Sequence, residues 1–345
     1  MFNISLKKGR SLAIDLGNSN TRLTDKEYSC FSQPSFIALQ KDKRTVKAVG
    51  HEAYNMLGKA NGHLKIIKPL KGGVIVDFDS ANCMLKSLVK TLYPPSSFFH
   101  GFEYVVAGIP FDTTEVERRA LRDALEQFKS HRTFLLFEPL AAAIGLGLNI
   151  QEPDGKLLVD IGGGVTEIVV ISLSGIVSYQ SIKIAGDSFD EDIQDYFKKN
   201  YNMSIGNKVA EQLKINVGSA IEIDATADNI PQACEVIGKN LMTGLPISKL
   251  VDHTEIASIL NSSISKIEHA ILLALEECQP ELAGDIYGNG IHLTGGGSLL
   301  RGLKQRLEAT TRLQVHHAND PLQSVIQGLS IVMQNPGVYK SVLFQ

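Results

Sequence analysis

The chain of 345 residues carries 34 Lys and Arg against 37 Asp and Glu, a formal net charge of −3, with 43% apolar and 21% charged residues. That length holds roughly two domains and a substantial core, and the balanced charge gives no basic domain or stripe, so nucleic acid is not an expected partner. The 4 cysteines, Cys30, Cys83, Cys234 and Cys278, match neither a disulfide framework nor a zinc pattern, no apolar run reaches the ~18 residues of a membrane span, and the start lacks the apolar core of a signal peptide, so the expectation is a reduced, cytoplasmic, unexported protein.

In chain order, Met1, Phe2, Ile4 and Leu6 precede Lys7, Lys8 and Arg10, an apolar-then-basic start suited to an anionic bilayer surface and too short to be a stable helix alone. Residues 11–16 and 34–39 read as strands, and 81–92 as a helix with Met84, Leu85, Leu88 and Leu92 at helical spacing. Residues 94–102 form a proline-led loop bearing Phe98, Phe99 and Phe102, rings that either meet a membrane or tuck into the core. A buried strand at 104–110 is followed by a helix to about Phe128, capped by Asp112 or Thr114. After a strand at 133–137, Glu138 and Pro139 start a helix of small residues, Ala141, Ala142, Ala143 and Gly145, which permits close packing. The second half restarts with a strand at 157, a hairpin through Gly175, mostly helix over 186–216, irregular or β-rich chain over 218–250, and a long amphipathic helix over 254–277.

Two stretches repeat one pattern. Residues 12–21 and 157–166 both read apolar run, Asp, apolar, Gly, three residues, Thr, with Asp15, Gly17 and Thr21 matched by Asp160, Gly162 and Thr166. A strand ending in Asp and Gly turns sharply, and its freed N–H groups form a nest for phosphate oxygens. A carboxylate beside a phosphate is repelled by it, so the useful role for Asp15 and Asp160 is to hold a hydrated Mg²⁺. A third turn, Gly295, Gly296, Gly297 and Ser298, follows another apolar strand and opens a helix through Leu299, Leu300, Leu303 and Leu307. Glycine there lets the backbone approach a sugar or base closely. One such turn alone is more often only a tight connection; the weight comes from order and repetition.

These three turns resemble the phosphate-1, phosphate-2 and adenosine motifs of the actin, heat-shock chaperone and sugar kinase superfamily. Together with residues 48–53, 73–78, 116–120, 138–145 and 293–303, they make the chain similar to the bacterial actins of the MreB type over nearly its whole length. The resemblance implies an α/β actin-like fold of duplicated halves, four subdomains around a nucleotide cleft. The first half is 1–143 plus 320–345 with a small subdomain at about 33–68, and the second is 144–319 with a small subdomain at about 182–248. It implies Mg-ATP and ADP as ligands, polymerisation into filaments, an anionic membrane surface and membrane proteins of the cell-wall elongation machinery as partners, and a role in cell shape. By that resemblance, Asp15 and Asp160 lie at the metal and Gly17, Asn18, Ser19, Asn20, Gly162, Gly163 and Gly164 at the phosphates. Gly186, Glu211, Lys214 and the turn from Gly295 to Ser298 complete the nucleotide set, Glu138 and Thr166 serve hydrolysis, and Phe2, Ile4, Phe98 and Phe99 meet the membrane.

On residue type alone, Glu211 and Lys214 read as a solvated surface ion pair, and Glu138 as a helix-start carboxylate next to a proline. The chain departs from the family at Val165, where the resemblance leads one to expect a threonine whose hydroxyl orients the attacking water. Valine has the shape without the hydrogen bond, so hydrolysis is expected to be slow. The segment from Thr24 to Phe31 is short beside the family and residues 221–236 match it poorly. The alternatives are an ATP-binding scaffold with little hydrolysis, or a non-polymerising chaperone or kinase on the same fold.

Overall fold

Every residue of Ser11–Leu16 (β1) is buried, so this strand needs cover on both faces, and the chain supplies it by building a layered unit around it. The computed structural model describes residues 10–26, 30–41, 45–93, 101–221 and 233–344. Contacts divide the chain into Met1–Asn149 with Gln323–Gln345, and Ile150–Leu322. These divisions lie a few residues beyond the 143/144 and 319/320 read from sequence, because the small-residue helix after Phe137 and the turn that follows it pack within the first unit.

The first unit continues through β2 (Asn20–Asp25), β3 (Phe31–Pro34), β4 (Ile37–Gln40), β5 (Val46–Val49), α1 (His51–Asn55), β6 (Leu64–Ile67), β7 (Leu70–Lys71), β8 (Val74–Ile75) and α2 (Phe78–Leu92). It then runs through β9 (Tyr104–Ile109), α3 (Glu115–Glu126), β10 (Arg132–Phe137) and α4 (Glu138–Gly145). Its main sheet has the order β10-β9-β1-β2-β3, antiparallel across β1, β2 and β3 and parallel across β1, β9 and β10. The Thr114 side chain caps α3 in a reciprocal box with Glu117, and the Asp77 side chain accepts from the Ser80 N–H at 3.0 Å to start α2 three residues before the expected helix. A second small sheet, β5-β4-β6, carries its own core of Ala38, Ala48 and Ala53 under α1.

The second unit comprises β11 (Lys156–Ile161), β12 (Thr166–Ser172), β13 (Gly175–Ile182), α5 (Gly186–Tyr201), β14 (Met203–Ser204), α6 (Asn207–Val217), β15 (Ala233–Asn240) and β16 (Pro246–Asp252). It closes with α7 (His253–Glu276), α8 (Pro280–Asn289), β17 (Ile291–Thr294), α9 (Leu303–Thr311) and β18 (Val315–His317). Its main sheet, β13-β12-β11-β17-β18, repeats the topology of the first strand for strand, with the same antiparallel and parallel pairings. The duplication seen in the two Asp-Gly turns is therefore a duplication of the whole sheet.

Two expectations need correction and two are made specific. The strand expected over 34–39 breaks at Ser35, whose N–H is held by Ser19 O at 2.9 Å and whose hydroxyl donates to Gly17 O at 2.6 Å. The stretch read as mostly helical over 186–216 is so, as two helices divided where Asn202 takes a left-handed conformation (φ 46) and β14 joins a three-stranded sheet with β15 and β16. The helix expected to open at the third Gly turn is interrupted by Gly302 (φ 71), which separates a short 3₁₀ turn, Gly296–Leu299, from α9. Of the two alternatives for the loop aromatics, Phe102 takes the core one: it is 1% exposed and packs edge-on between Tyr93 and Phe128, at 5.4 and 6.3 Å between centroids. Phe2, Ile4, Phe98 and Phe99 lie outside the described residues.

The chain re-enters the first unit through α10 (Ser324–Gln334), which packs on α4, β1 and β9. A Cβ built on Gly328 would lie 1.7 Å from Ala141 O, and one on Gly145 would lie 1.9 Å from Ser324 O, so the two helices meet backbone to backbone. Replacing Gly328 with Ala should therefore lower thermal stability by about 1–3 kcal/mol or more through forced separation of the helices. Gly337→Ala, with open space around that position, should change the melting temperature little; equal effects of the two substitutions would refute the close crossing.

Candidate functional site

The ends of β1, β9 and β10 collect one group of candidate residues, and the end of β11 with that of β17 collects the other. Parallel strands place loops of their successors at the same edge, which is where open α/β sheets carry ligands.

In the second unit, β11 delivers Asp160 and Ile161 into the Gly162, Gly163, Gly164 turn. The Gly162 N–H donates to Val165 O at 3.0 Å, and the turn's carbonyls then receive the start of α5, with the Gly186 N–H to Gly162 O at 3.2 Å and the Asp187 N–H to Gly163 O at 2.7 Å. From the other side comes the third turn. Gly295 sits at φ +84, and a Cβ there would fall 2.2 Å from Asp160 Oδ1, while one on Gly297 would fall 2.3 Å from Ile161 Cγ2. Only glycine permits this approach. Ser298 is buried and its hydroxyl donates to Gly295 O at 2.6 Å, with His317 Nε2 3.1 Å from the same hydroxyl. The structure thus brings Asp160, Gly162, Gly163, Gly164, Gly186, Gly295, Gly296, Gly297 and Ser298 into one neighbourhood.

Lys214 belongs to it as well, in a way the sequence did not disclose. Its Nζ donates to Gly186 O at 2.9 Å and pairs with Asp190 Oδ1 at 2.8 Å. The lysine head is thus bonded to α5 beside Gly186, another residue of the nucleotide set that the resemblance implies. Asp190 had no signal in the sequence, being one more acid on an amphipathic helix. Its burial pushes its carboxyl up to about 6 against the pull of Lys214, with Glu211 and Asp187 adding to the rise.

The first unit presents Gly17, Asn18, Ser19 and Asn20 between β1 and β2, where a Cβ on Gly17 would clash with Asn20 O at 2.6 Å. Glu138 opens α4 directly at the end of β10, half-buried, and a Cβ on Gly108 would sit 3.1 Å from its Cγ. A pocket of about 30 Å³, room for a single water, is lined here by Leu16, Gly108, Pro110, Thr113, Glu117 and Glu138.

The two matched aspartates meet different partners. Hairpin register sets Asp15 opposite Arg22 and Asp160 opposite Glu167. Arg22 Nη1 donates to Asp15 Oδ2 at 3.2 Å, both side chains being largely buried. Burial pushes the Asp15 carboxyl above its ordinary range, and the guanidinium pulls the other way. Asp15, placed at the metal by the resemblance, forms an ion pair within the sheet; sequence reading missed Arg22, although counting back from the Gly17 turn would have placed it there. Asp160 by contrast faces a second carboxylate, Glu167, which accepts from Tyr179 Oη at 2.8 Å. Adjacent like charges favour a divalent cation between or beside them, so this end fits Mg²⁺ held with phosphate oxygens and water. Among the described residues no group of three or more His, Cys, Asp or Glu is placed to hold a metal ion.

The matched threonines share a role. Thr166 is fully buried and donates to Ile184 O at 2.6 Å, and Thr21, equally buried, bonds Ser35 Oγ at 2.9 Å. Both tie the hairpin to the next segment. Thr166, which the resemblance assigns to hydrolysis, donates its proton inward.

A family model described as MreB/Mbl protein matches residues 9–341. The cell shape-determining protein MreB of Escherichia coli (strain K12) is 41% identical over 322 residues, 92% of this chain and 91% of that protein. The cell shape-determining protein Mbl of Bacillus subtilis (strain 168) is 37% identical over 327 residues, 94% and 96% of the two chains. Among solved structures, MreB 5 of Spiroplasma citri bound to AMPPNP matches with a TM-score of 0.90 at 32% identity, covering 97% of this chain and 98% of that one. A MamK double helical filament matches at 0.77 and 23% identity, covering 94% and 99%, a likeness of fold.

Proposed function

The chain belongs to the MreB/Mbl protein family, and from this we propose that it is an actin-like cytoskeletal ATPase that polymerises into membrane-associated filaments and supports cell shape and cell-wall elongation. The observation that carries the reading is the repeated strand end, Asp-apolar-Gly with an inward-bonded Thr, present once in each unit and joined in the second by a glycine turn packed on Asp160. The N–H groups of a turn such as Gly162 to Gly164 suit ATP phosphates, and Asp160 faces the Mg²⁺ that neutralises them. The nucleotide-bound Spiroplasma citri relatives, carrying AMPPNP and ADP, support the ligand class. Substituting Asp160 with Ala should weaken ATP binding when Mg²⁺ is present and change it little in EDTA, read by titration calorimetry. Equal affinity with Mg²⁺ would remove Asp160 from the metal site.

With the Thr166 hydroxyl committed to Ile184, water activation rests on Glu138, at the N-terminus of α4 where a carboxylate is favoured as the anion. Val165 adds no hydroxyl to the turn. One missing positioning hydrogen bond slows such a step by ~10–1000-fold, so filaments form in ATP and persist. Val165→Thr should raise phosphate release per sedimented filament mass; a wild-type rate already fast and unmoved by the substitution would show the hydroxyl to be dispensable.

The chain's partners are further copies of itself, an anionic membrane surface and membrane proteins of the elongation machinery, and it works in the cytoplasm at the membrane periphery. Among the described residues no helix is long and apolar enough to cross a membrane; the attachment proposed here uses Phe98, Phe99 and the apolar-basic start with Phe2 and Ile4. Phe98→Ser combined with Phe99→Ser should reduce co-flotation with anionic liposomes. Intact flotation accompanied by a lowered melting temperature would place those rings in the core with Phe102.

A further inference from the structure

One side chain, Arg301, joins the chain that leaves the third glycine turn to the end of α6. Its Nη1 donates to Ile215 O and Asn216 O, each at 3.0 Å, and reaches Gly218 O at 3.4 Å. We infer that Arg301 is a positioning residue for the nucleoside part of the ligand. It seats α6 against the turn from Gly295 to Ser298, so that the two elements meet sugar and base as one surface. This rests on the nucleotide reading above and adds to it a residue that acts through its neighbours.

The need for such a residue lies in α6 itself. A helix leaves its last four carbonyls without partners of its own, and α6 has no side-chain cap at its start, where Gly206 precedes Asn207. Lys214 is the basic residue of its last turn, but the lysine head is turned to Gly186 O and Asp190. Lys214 O is met by the Gly218 N–H at 3.0 Å, and the next two carbonyls, of Ile215 and Asn216, are met by Arg301. A guanidinium at this end also answers the negative pole of the helix, and a charged donor makes the stronger bond to a carbonyl.

The backbone of Arg301 is fixed to the segment that leaves α6. Its carbonyl accepts from the Ala220 N–H at 2.7 Å and from Ser219 Oγ at 3.3 Å, and Ser219 pairs with Arg301 in a parallel bridge. Ser219 and Ala220 are both buried. Between the two grips lies Gly218, where a Cβ would fall 2.1 Å from Lys214 O and 3.1 Å from Leu300 Cδ1. The helix end, the segment after it and the residues following the third turn are therefore packed as one piece. Leu300 in turn is tied to that turn, its N–H donating to Gly297 O at 3.2 Å.

The Gly162, Gly163, Gly164 turn is braced differently. It is held by the Gly162 N–H on Val165 O and by the Gly186 and Asp187 N–H groups on its own carbonyls, backbone bonds in which Arg301 has no part. Loosening Arg301 therefore unseats α6 and leaves that turn in place. A binding surface seated only part of the time lowers affinity in proportion to the seated fraction. The loss falls on the nucleoside and spares the phosphates.

The test is calorimetric titration of the full chain with ATP and with tripolyphosphate, both in Mg²⁺, for wild type, Arg301→Met and Arg301→Lys, alongside melting temperatures. The ratio of the two affinities reads the nucleoside share of binding, which a general loss of stability does not move. The bonds of one charged donor correspond to about 10- to 100-fold in affinity. Arg301→Met should lower ATP affinity by that factor and leave tripolyphosphate affinity unchanged. Arg301→Lys keeps a cation at the helix end on a shorter side chain and should recover part of the loss. An unchanged ratio in folded Arg301→Met would overturn the inference and leave Arg301 as a stabilising helix cap only. If Arg301→Met shows no melting transition, Arg301→Lys decides: a lowered ratio supports the inference, and the wild-type ratio overturns it. A wild-type chain that binds no ATP, or binds it no tighter than tripolyphosphate, would instead overturn the nucleotide reading on which the inference stands.

Discussion

The close approach of Gly295 to Asp160 is the constraint on which the second unit's site depends. With φ at +84 and room for no side-chain atom within 2.2 Å of the carboxylate oxygen, the third turn can lie directly on the end of β11. That contact fixes where Ser298 bonds back to Gly295 and where β18, through His317, closes on the turn. It also leaves the face of the Gly162, Gly163, Gly164 turn to be covered from a different direction, by the N-terminus of α5. A single added methyl group at Gly295 would push apart the two segments that define the site, since it would lie 2.4 Å from the Ile161 backbone carbonyl oxygen, which cannot swing away as a side chain can.

The same geometry explains why helix starts are used as they are. The Gly186 and Asp187 N–H groups, which a helix leaves unpaired at its first turn, are consumed by the carbonyls of the glycine turn. Lys214 then neutralises Asp190 and caps the Gly186 carbonyl from the neighbouring helix. The result is a rigid support behind the Gly162, Gly163, Gly164 turn made of backbone bonds and one ion pair. Rigid placement of first contacts by a bonded second layer is what precise phosphate recognition requires.

Much of this was legible in the chain and some was not, for identifiable reasons. Strand ends at Asp15 and Asp160, the helix from Glu138 and the cap at Thr114 all follow from local pattern, because turn glycines, period-two burial and capping boxes are encoded by neighbours in sequence. Arg22 was readable in principle, since the turn sets the register that puts it opposite Asp15. Asp190 was not, because its partner sits on another helix and nothing distinguishes it from the other acids of α5. Asn202 was hidden by an apolar period that runs on through the break, and the place of Phe102 stayed open between membrane and core because the composition of its proline-led loop suits either.

The path of the chain through the first unit has a consequence for its biogenesis. The second unit is continuous in sequence, whereas the first is closed only by α10, which lies against α4, β1 and β9, and by Phe344, whose backbone bonds Leu135 on β10. During vectorial synthesis the strands before Asn149 emerge first and wait with one helical surface unfilled until residues beyond Leu322 arrive. The later-made half is free to fold as soon as it leaves the ribosome, so the earlier-made half finishes last, and the exposed faces of β1, β9 and α4 are the surface a nascent-chain chaperone would meet.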